Sequence, residues 1–343
     1  MHSIRAKNIT DAFYKTLECM KISGKEMETW KGKVIELSPV LIEVERPKER
    51  CLVIPNRYNN IVATIAETIW VIGGRDDLKY LLKYLPRAHE FSDDGSTWRG
   101  AYGKRLTNWY GVNQVEEIVN LLKRIPYTGR AVMTLFDPLI DYDNQTKDIP
   151  CNNWIQFLLR DGKLNMHVAL RANDLIWGFS GINMFEWTVL QEMIAGWLNV
   201  EVGKYYHFVG SMNIFEHHFE RMDKMLENRI KSDIYHNYPN LNQTKVDIKE
   251  DSFQYQIKKF FEVEEGFSNA DENSIESILK QVNELQSSFL RQCLKLMLTF
   301  LLFKKNEHAL AKRVFETSVN DDYKFALADL MCRKIPEVYG PSC

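Results

Sequence analysis

Residues 148–178, DIPCNNWIQFLLRDGKLNMHVALRANDLIWG, hold two apolar-rich segments joined by a short turn. Trp154 to Leu159 and Leu164 to Leu170 read as strands, and Arg160-Asp161-Gly162-Lys163 between them carries the Asp-Gly dipeptide of a tight hairpin. Cys151, directly after Pro150, therefore stands at the mouth of the first strand, while Arg171 and Asp174 follow the end of the second. A lone cysteine is a small buried hydrophobe more often than a nucleophile, on the order of five to one. A guanidinium one hairpin away changes those odds, because it favours the reactive thiolate.

Working outward, Asn60 to Ile72 carries Ile61, Ile65, Ile69 and Ile72 on one helical face, and Gln114 to Lys123 repeats that signature before Pro126 stops it. Ala131 to Phe136 reads as a strand, and Phe185 to Leu198 as a strongly apolar helix buried on most sides. Residues 1–50 combine a helical spacing (Ile9, Phe13, Leu17) with the strand-like stretches Val34 to Leu37 and Val40 to Val44. Past about residue 235 the Asn-rich run Asn237 to Asn242 reads as a connection, and helical patterns follow at 274–303 and 306–334. These observations divide the chain into a domain over 1–235 and a helical extension over 236–343, in which no chemistry is evident.

The 343 residues, 45% hydrophobic and 12% aromatic, can bury a sizeable core, which excludes disorder as the main state. With 44 basic and 46 acidic residues the formal charge is -2, so no global field draws the chain to nucleic acid or an anionic membrane. Cys19, Cys51, Cys151, Cys293, Cys332 and Cys343 show neither CxxC pairs nor metal-ligand spacing, and are expected to be reduced thiols with no metal. The N-terminus has no apolar core of a leader, and the run Cys293 to Phe303 is shorter than a membrane span and flanked by Arg291, Lys304 and Lys305. A cytoplasmic location is the expectation.

The run 148–178, with its Pro-Cys strand, Gln156-Phe157, Gly-Lys-Leu hairpin and Arg-x-x-Asp, resembles the signature of thymidylate synthases and related pyrimidine nucleotide hydroxymethylases. The resemblance extends to Ala66-Glu67-Thr68-Ile69-Trp70, to Ala101-Tyr102-Gly103-Lys104-Arg105-Leu106, and to Asn183 with Met193-Ile194-Ala195 and Gly203-Lys204-Tyr205, covering about residues 55–220. It implies an α+β fold, a large mixed sheet with flanking helices, dimerising through that sheet. It also implies folate-dependent one-carbon transfer, methyl or hydroxymethyl, to C5 of a uracil nucleotide, with 5,10-methylenetetrahydrofolate as co-substrate. A thiolate adding at C6 makes C5 nucleophilic, and Cys151 matches that group. Glu67 matches the glutamate that manages protons around the ring, and Tyr102 a tyrosine whose hydroxyl bonds near the nucleophile. Asn183 matches the asparagine on the pyrimidine edge, whose donor and acceptor suit uracil, where deoxycytidylate hydroxymethylases carry aspartate. Asp174 resembles the aspartate that holds the pterin, Arg171 a phosphate arginine, and Arg130 a phosphate arginine donated by the neighbouring subunit. Gln156 and Asn213 complete the substrate-binding candidates.

The pattern also departs from the family. Gly129 stands where a first arginine is usual, and Ala172 where a serine follows the phosphate arginine, so either other groups such as Arg57 hold the phosphate or the substrate differs there. The sugar-reading histidine and tyrosine are replaced in Gly210 to Phe215, where Phe215 has no hydroxyl. Asn152 replaces a histidine, and the tryptophan that covers folate is not evident, since Ala88-His89-Glu90-Phe91 fills that stretch and Trp98 is out of register. A site without that cover admits water, which favours a hydroxymethyl product. A cytidylate hydroxymethylase, or a nucleotide-binding or assembly protein with little turnover, are the alternatives; joint retention of Cys151, Glu67, Tyr102 and Asp174 argues against the second.

Overall fold

Alternating apolar segments near the N-terminus build one half of a sheet. β1 (His2–Ala6) leads into α1 (Ile9–Ser23), capped by the Asn8 side chain on the Asp11 amide, and β2 (Lys25–Thr29), β3 (Gly32–Leu37) and β4 (Val40–Val44) follow. The computed structural model describes residues 1–334 except Trp30, Tyr58, Asp143, Asn144, Asn228, Ile230, Lys231 and Ser232. Four helices come next, α2 (Ile61–Ile72), α3 (Leu78–Leu81), α4 (Tyr102–Thr107) and α5 (Gln114–Arg124). The second half of the sheet is β5 (Val132–Thr134), β6 (Asn152–Arg160) and β7 (Lys163–Asp174), then α6 (Met184–Trp197) and β8 (Glu201–Phe215).

The eight strands form one sheet in the order β1-β4-β8-β7-β6-β5, with the β2–β3 hairpin joined through β3 to the far part of β8. Two pairs, β1 with β4 and β7 with β8, are parallel and the others antiparallel, so the sheet is mixed and flanked by helices, as the α+β expectation requires. Asp161 and Gly162 both take positive φ, 51° and 73°, the backbone that lets a two-residue turn close β6 onto β7.

β7 runs past the expected end at Leu170 as far as Asp174, so Arg171, Asn173 and Asp174 are strand residues, and Asp174 lies opposite Asn213 of β8. The chain then widens into a π-helical segment, Leu175–Asn183, before α6. Asp174 caps this segment by accepting from the Trp177 amide. Gly178 is required inside it, because a Cβ there would meet Asn173 Oδ1 at 2.1 Å.

Every residue of α2 is buried, as is every residue of α6 from Met184 to Ala195. Truncating a wholly buried member such as Ile69 to alanine costs about 2–5 kcal/mol. Against α2 pack helices Ser288–Lys304 and Asp322–Lys334, accompanied by Phe253–Glu265, Ile275–Asn283 and His308–Glu316. Each of the two expected helical runs is thus broken in two, and the helix Phe253–Glu265 was not expected from the sequence. Polar ties cross this junction: Arg50, paired with Glu192 of α6, donates to the Tyr323 hydroxyl at 3.4 Å, and Glu192 Oε1 accepts from the Val246 amide at 3.3 Å.

Cys19, Cys51, Cys151 and Cys293 are free thiols. Cys332 is disulfide-bonded, which corrects the expectation of reduced thiols throughout; Cys343 lies outside the described residues. No helix among the described residues is long and apolar enough to cross a membrane.

Candidate active site

Cys151 sits half-buried between Pro150 and the start of β6, where β7 holds it from the side. Its carbonyl accepts from the Arg171 amide at 2.9 Å, and the Arg171 guanidinium donates to the carbonyls of Pro150 (3.1 Å) and Ile149 (2.8 Å). The cation is thereby fixed over the chain that bears the thiol. Burial pushes the Cys151 thiol up; Arg171 and Lys31 oppose that shift, while Asp148 and Asp174 add to it. The expected effect of Arg171 on the thiolate is present, but burial outweighs it.

Helices bring the acids. An apolar helix buried all round has no place for a carboxyl unless the group is used, and α2 carries Glu67 while α6 carries Glu186. Glu67 is 8% exposed, its Oε2 has no hydrogen-bond partner, and burial with the charge of Asp148 raises its pKa to about 8. Glu186 is wholly buried and is raised by burial and then by Glu67, against the hydrogen bond it accepts from Asn183 Nδ2 at 2.7 Å. Tyr102, at the start of α4, lies between these groups. Its hydroxyl accepts from the Asn152 amide at 3.3 Å, its ring tilts against Trp187 at 5.2 Å, and burial, then Cys151, Glu186 and Asp148, raise its pKa.

Trp98, out of register in the sequence, reaches this group through space. Its indole N–H donates to Asp148 Oδ2 at 2.5 Å, and its ring stacks on Phe91 at 5.1 Å and 7°. Asp174 and Asn213 form the neighbouring part of the site on adjacent strands. Asp174 Oδ2 and Asn213 Oδ1 are both buried without partners, and burial lifts the Asp174 acid to about 6 against several backbone N–H groups. A buried acceptor with no partner costs about 1–3 kcal/mol, so two side by side are groups waiting for donors.

Residues 40–271, a span that includes these groups apart from Lys31, match the family model described as thymidylate synthase. The chain belongs to the thymidylate synthase family. Its relatives include deoxyuridylate hydroxymethyltransferases of Bacillus phage SP01, 33% identical over 226 residues (63% of this chain, 59% of the relative), and of Pseudomonas phage M6, 33% over 218 (63% and 62%). A third, of Delftia phage PhiW-14, is 34% identical over 208 residues (57% of each). The chain spans about six-tenths of the length of these curated relatives.

Of the site residues expected from the resemblance to thymidylate synthases, the structure draws together Cys151, Glu67, Tyr102, Asn183 and Arg171, with Asp174 and Asn213 alongside. It does not bring Gln156 or Arg130 to Cys151. Gln156 lies between the buried Ile155 and Phe157 and so faces the other side of the sheet, where Nε2 donates to Gly129 O at 2.8 Å; Arg130 is exposed on that same loop. Arg57 is not a free phosphate donor: it is 5% exposed, donates to Ser180 Oγ (3.1 Å) and Ile176 O (2.7 Å), and pins the π-helical segment. Sequence reading passed over Glu186, Asp148 and Lys31. A carboxylate inside an apolar helix was the signal for the first; Lys31, on the turn after β2, has a charge felt at Cys151 and Asp148 and only the folded chain shows it.

Proposed function

We propose that this chain transfers a one-carbon unit from 5,10-methylenetetrahydrofolate to C5 of a uracil nucleotide, with a hydroxymethyl product. The observation that carries the reading is the convergence of a thiol, a raised glutamic acid and a tyrosine, Cys151, Glu67 and Tyr102, beside a fixed carboxamide, Asn183. The names of the phage relatives support both the base and the product.

Cys151 Sγ, on losing its proton, bonds to C6, and the ring electron pair moves to C5 with charge developing on O4. Glu67, neutral near pH 7, can donate to developing charge on the ring and later take back a proton. Tyr102 holds the Asn152 amide and so fixes the chain next to the thiol. When bound, the folate supplies carbon at the oxidation level of formaldehyde, and the unpartnered Asp174 Oδ2 fits an N–H of its pterin. C5 bonds to that carbon, loss of the C5 proton and departure of tetrahydrofolate leave a methylene on C5, and water adding to it with departure of Sγ from C6 gives the hydroxymethyl product. Arg171 and Lys31 supply positive charge for the phosphate where Gly129 and Ala172 supply no side-chain donor, and Asn213 Oδ1 accepts from a sugar hydroxyl.

The open face of the sheet exposes Val132 (41%), Trp154 (38%) and Phe208 (38%), an apolar surface suited to a second copy of the chain. On that reading Arg130 serves the partner's site.

The test is incubation with methylenetetrahydrofolate and each of dUMP, UMP, dCMP and CMP, with products identified by mass. Hydroxymethylated deoxyuridylate is expected. A methylated product would move the chain to thymidylate synthesis, cytosine products alone would overturn the base, and no product from any nucleotide would overturn the transferase reading.

A further inference from the structure

The amide of Asn183 is held from one side by an oxygen that accepts from it. Asn183 Nδ2 donates to Glu186 Oε1 at 2.7 Å, in a pocket where Asn183 is 6% exposed and Glu186 0%. The two residues are three apart at the start of α6, so one helical turn sets the contact. Glu186 Oε2 and Glu67 Oε2 are both buried without partners. One proton held by this pair of acids belongs on those free oxygens, since two neighbouring buried carboxyls do not both ionise. That leaves Glu186 Oε1 as an acceptor, and a turned Asn183 amide would set Oδ1 against it unless the proton moved to Oε1, away from Glu67.

We propose that Glu186 is a positioning residue that sets base specificity: by holding Asn183 Nδ2 it blocks the amide rotation that cytosine requires and leaves Asn183 arranged for uracil. The proposal rests on the reading that the site takes a pyrimidine nucleotide. In the fixed orientation Asn183 Oδ1 accepts from uracil N3–H, and the second Nδ2 hydrogen reaches O4. Cytosine reverses both demands, with an acceptor at N3 and an amino group at C4. Meeting it needs the turned amide, which Glu186 Oε1 opposes.

The test compares dissociation constants of dUMP and dCMP, by calorimetry without folate, for the wild type, Glu186→Leu and Glu186→Gln, with thermal unfolding to establish folding. Wild type should prefer dUMP by roughly tenfold or more. Leucine removes the acceptor, and glutamine can either donate or accept, so both free the amide to turn and should reduce the preference to within about threefold of unity. Should the leucine variant fail to fold, the isosteric glutamine variant carries the comparison. Retention of the wild-type ratio in the folded variants, or equal weakening of both nucleotides as a purely structural role predicts, overturns the proposal. Equal wild-type affinity for the two nucleotides overturns it while leaving the pyrimidine reading intact, whereas wild-type binding of neither overturns that reading as well.

Discussion

Arg171 grips the chain at Cys151 twice, through a backbone hydrogen bond of 2.9 Å to the Cys151 carbonyl and through a guanidinium bound to the two carbonyls just before it. A cation whose charge acts on the Cys151 thiol is therefore positioned by the same backbone that carries the thiol. Cys151→Ser is expected to abolish turnover and tritium release from C5, because a hydroxyl supplies almost no anion at neutral pH. Arg171→Gln removes a charge that lowers the thiol pKa, so iodoacetamide alkylation of Cys151 should slow several-fold at pH 8 and its pH midpoint should move up. Unchanged alkylation would show that Arg171 does not act on the thiol.

Glu67 links the chemistry to stability. An acid whose folded pKa, here about 8, exceeds its unfolded value binds more protons when folded. Its contribution is full below the unfolded value, about 4.3, and is lost as pH rises through the folded one. Glu67→Gln removes the ionisation, so the variant should gain melting temperature over wild type at pH 8.5 and show little difference at pH 4.5. Its turnover should fall about 10²–10⁴-fold. A melting difference independent of pH would mean that Glu67 does not titrate in the folded protein.

Much of this was legible before folding. The hairpin came from Asp161-Gly162, the buried helices from the spacing of Ile61, Ile65 and Ile69, and the candidate nucleophile from Pro150-Cys151 with Arg171 one hairpin away. What the sequence hid was contact between distant segments. Trp98 is out of register in the sequence, yet it reaches Asp148, fifty residues on, by an indole hydrogen bond. Arg57 looked like a spare cation until three hydrogen bonds showed it buried under the π-helical segment. Periodicity cannot place a turn such as the one that carries Lys31, because nothing local ties it to Cys151.

The exposed sheet face makes a prediction about assembly. The protein should be a dimer, and Trp154→Glu, which puts a charge on that face, should shift it toward monomer in sedimentation or light scattering. Arg130→Ala should leave the dimer intact and weaken nucleotide binding by roughly tenfold to a hundredfold, the worth of a charge-assisted hydrogen bond to phosphate. A monomer that binds nucleotide fully would contradict both.

On the proposed function, Asp174 should give folate binding its own pH dependence. Its acid lies at about 6, and only the ionised carboxylate offers Oδ2 as a pure acceptor for a pterin N–H. Folate affinity, measured by fluorescence with nucleotide saturating, should therefore fall as pH drops through about 6. Asp174→Ala should weaken it at every pH and flatten the profile. A profile unchanged in that variant would assign the titration to another group.

Asn183→Asp probes how the base edge is read. In the wild type the amide nitrogen stands 2.7 Å from Glu186 Oε1; the substitution would put a carboxyl oxygen there instead. Two oxygens at that distance need a proton between them, so the new acid and Glu186 must share one, with Glu67 as a third acid nearby. With that proton on Glu186, the carboxyl oxygen in the place of Nδ2 is an acceptor only: it can take a hydrogen from the cytosine amino group, but it opposes uracil O4, which has lost its donor. One unmatched buried polar group costs about 1–3 kcal/mol, or roughly one to two decades in preference. Wild type should prefer dUMP over dCMP in kcat/KM, and Asn183→Asp should narrow or reverse that ratio, measured by competition between the two nucleotides in one reaction. A wild-type enzyme that prefers cytosine would sink the orientation argument, because the hydrogen bond from Asn183 to Glu186 would then be broken or turned when the base binds.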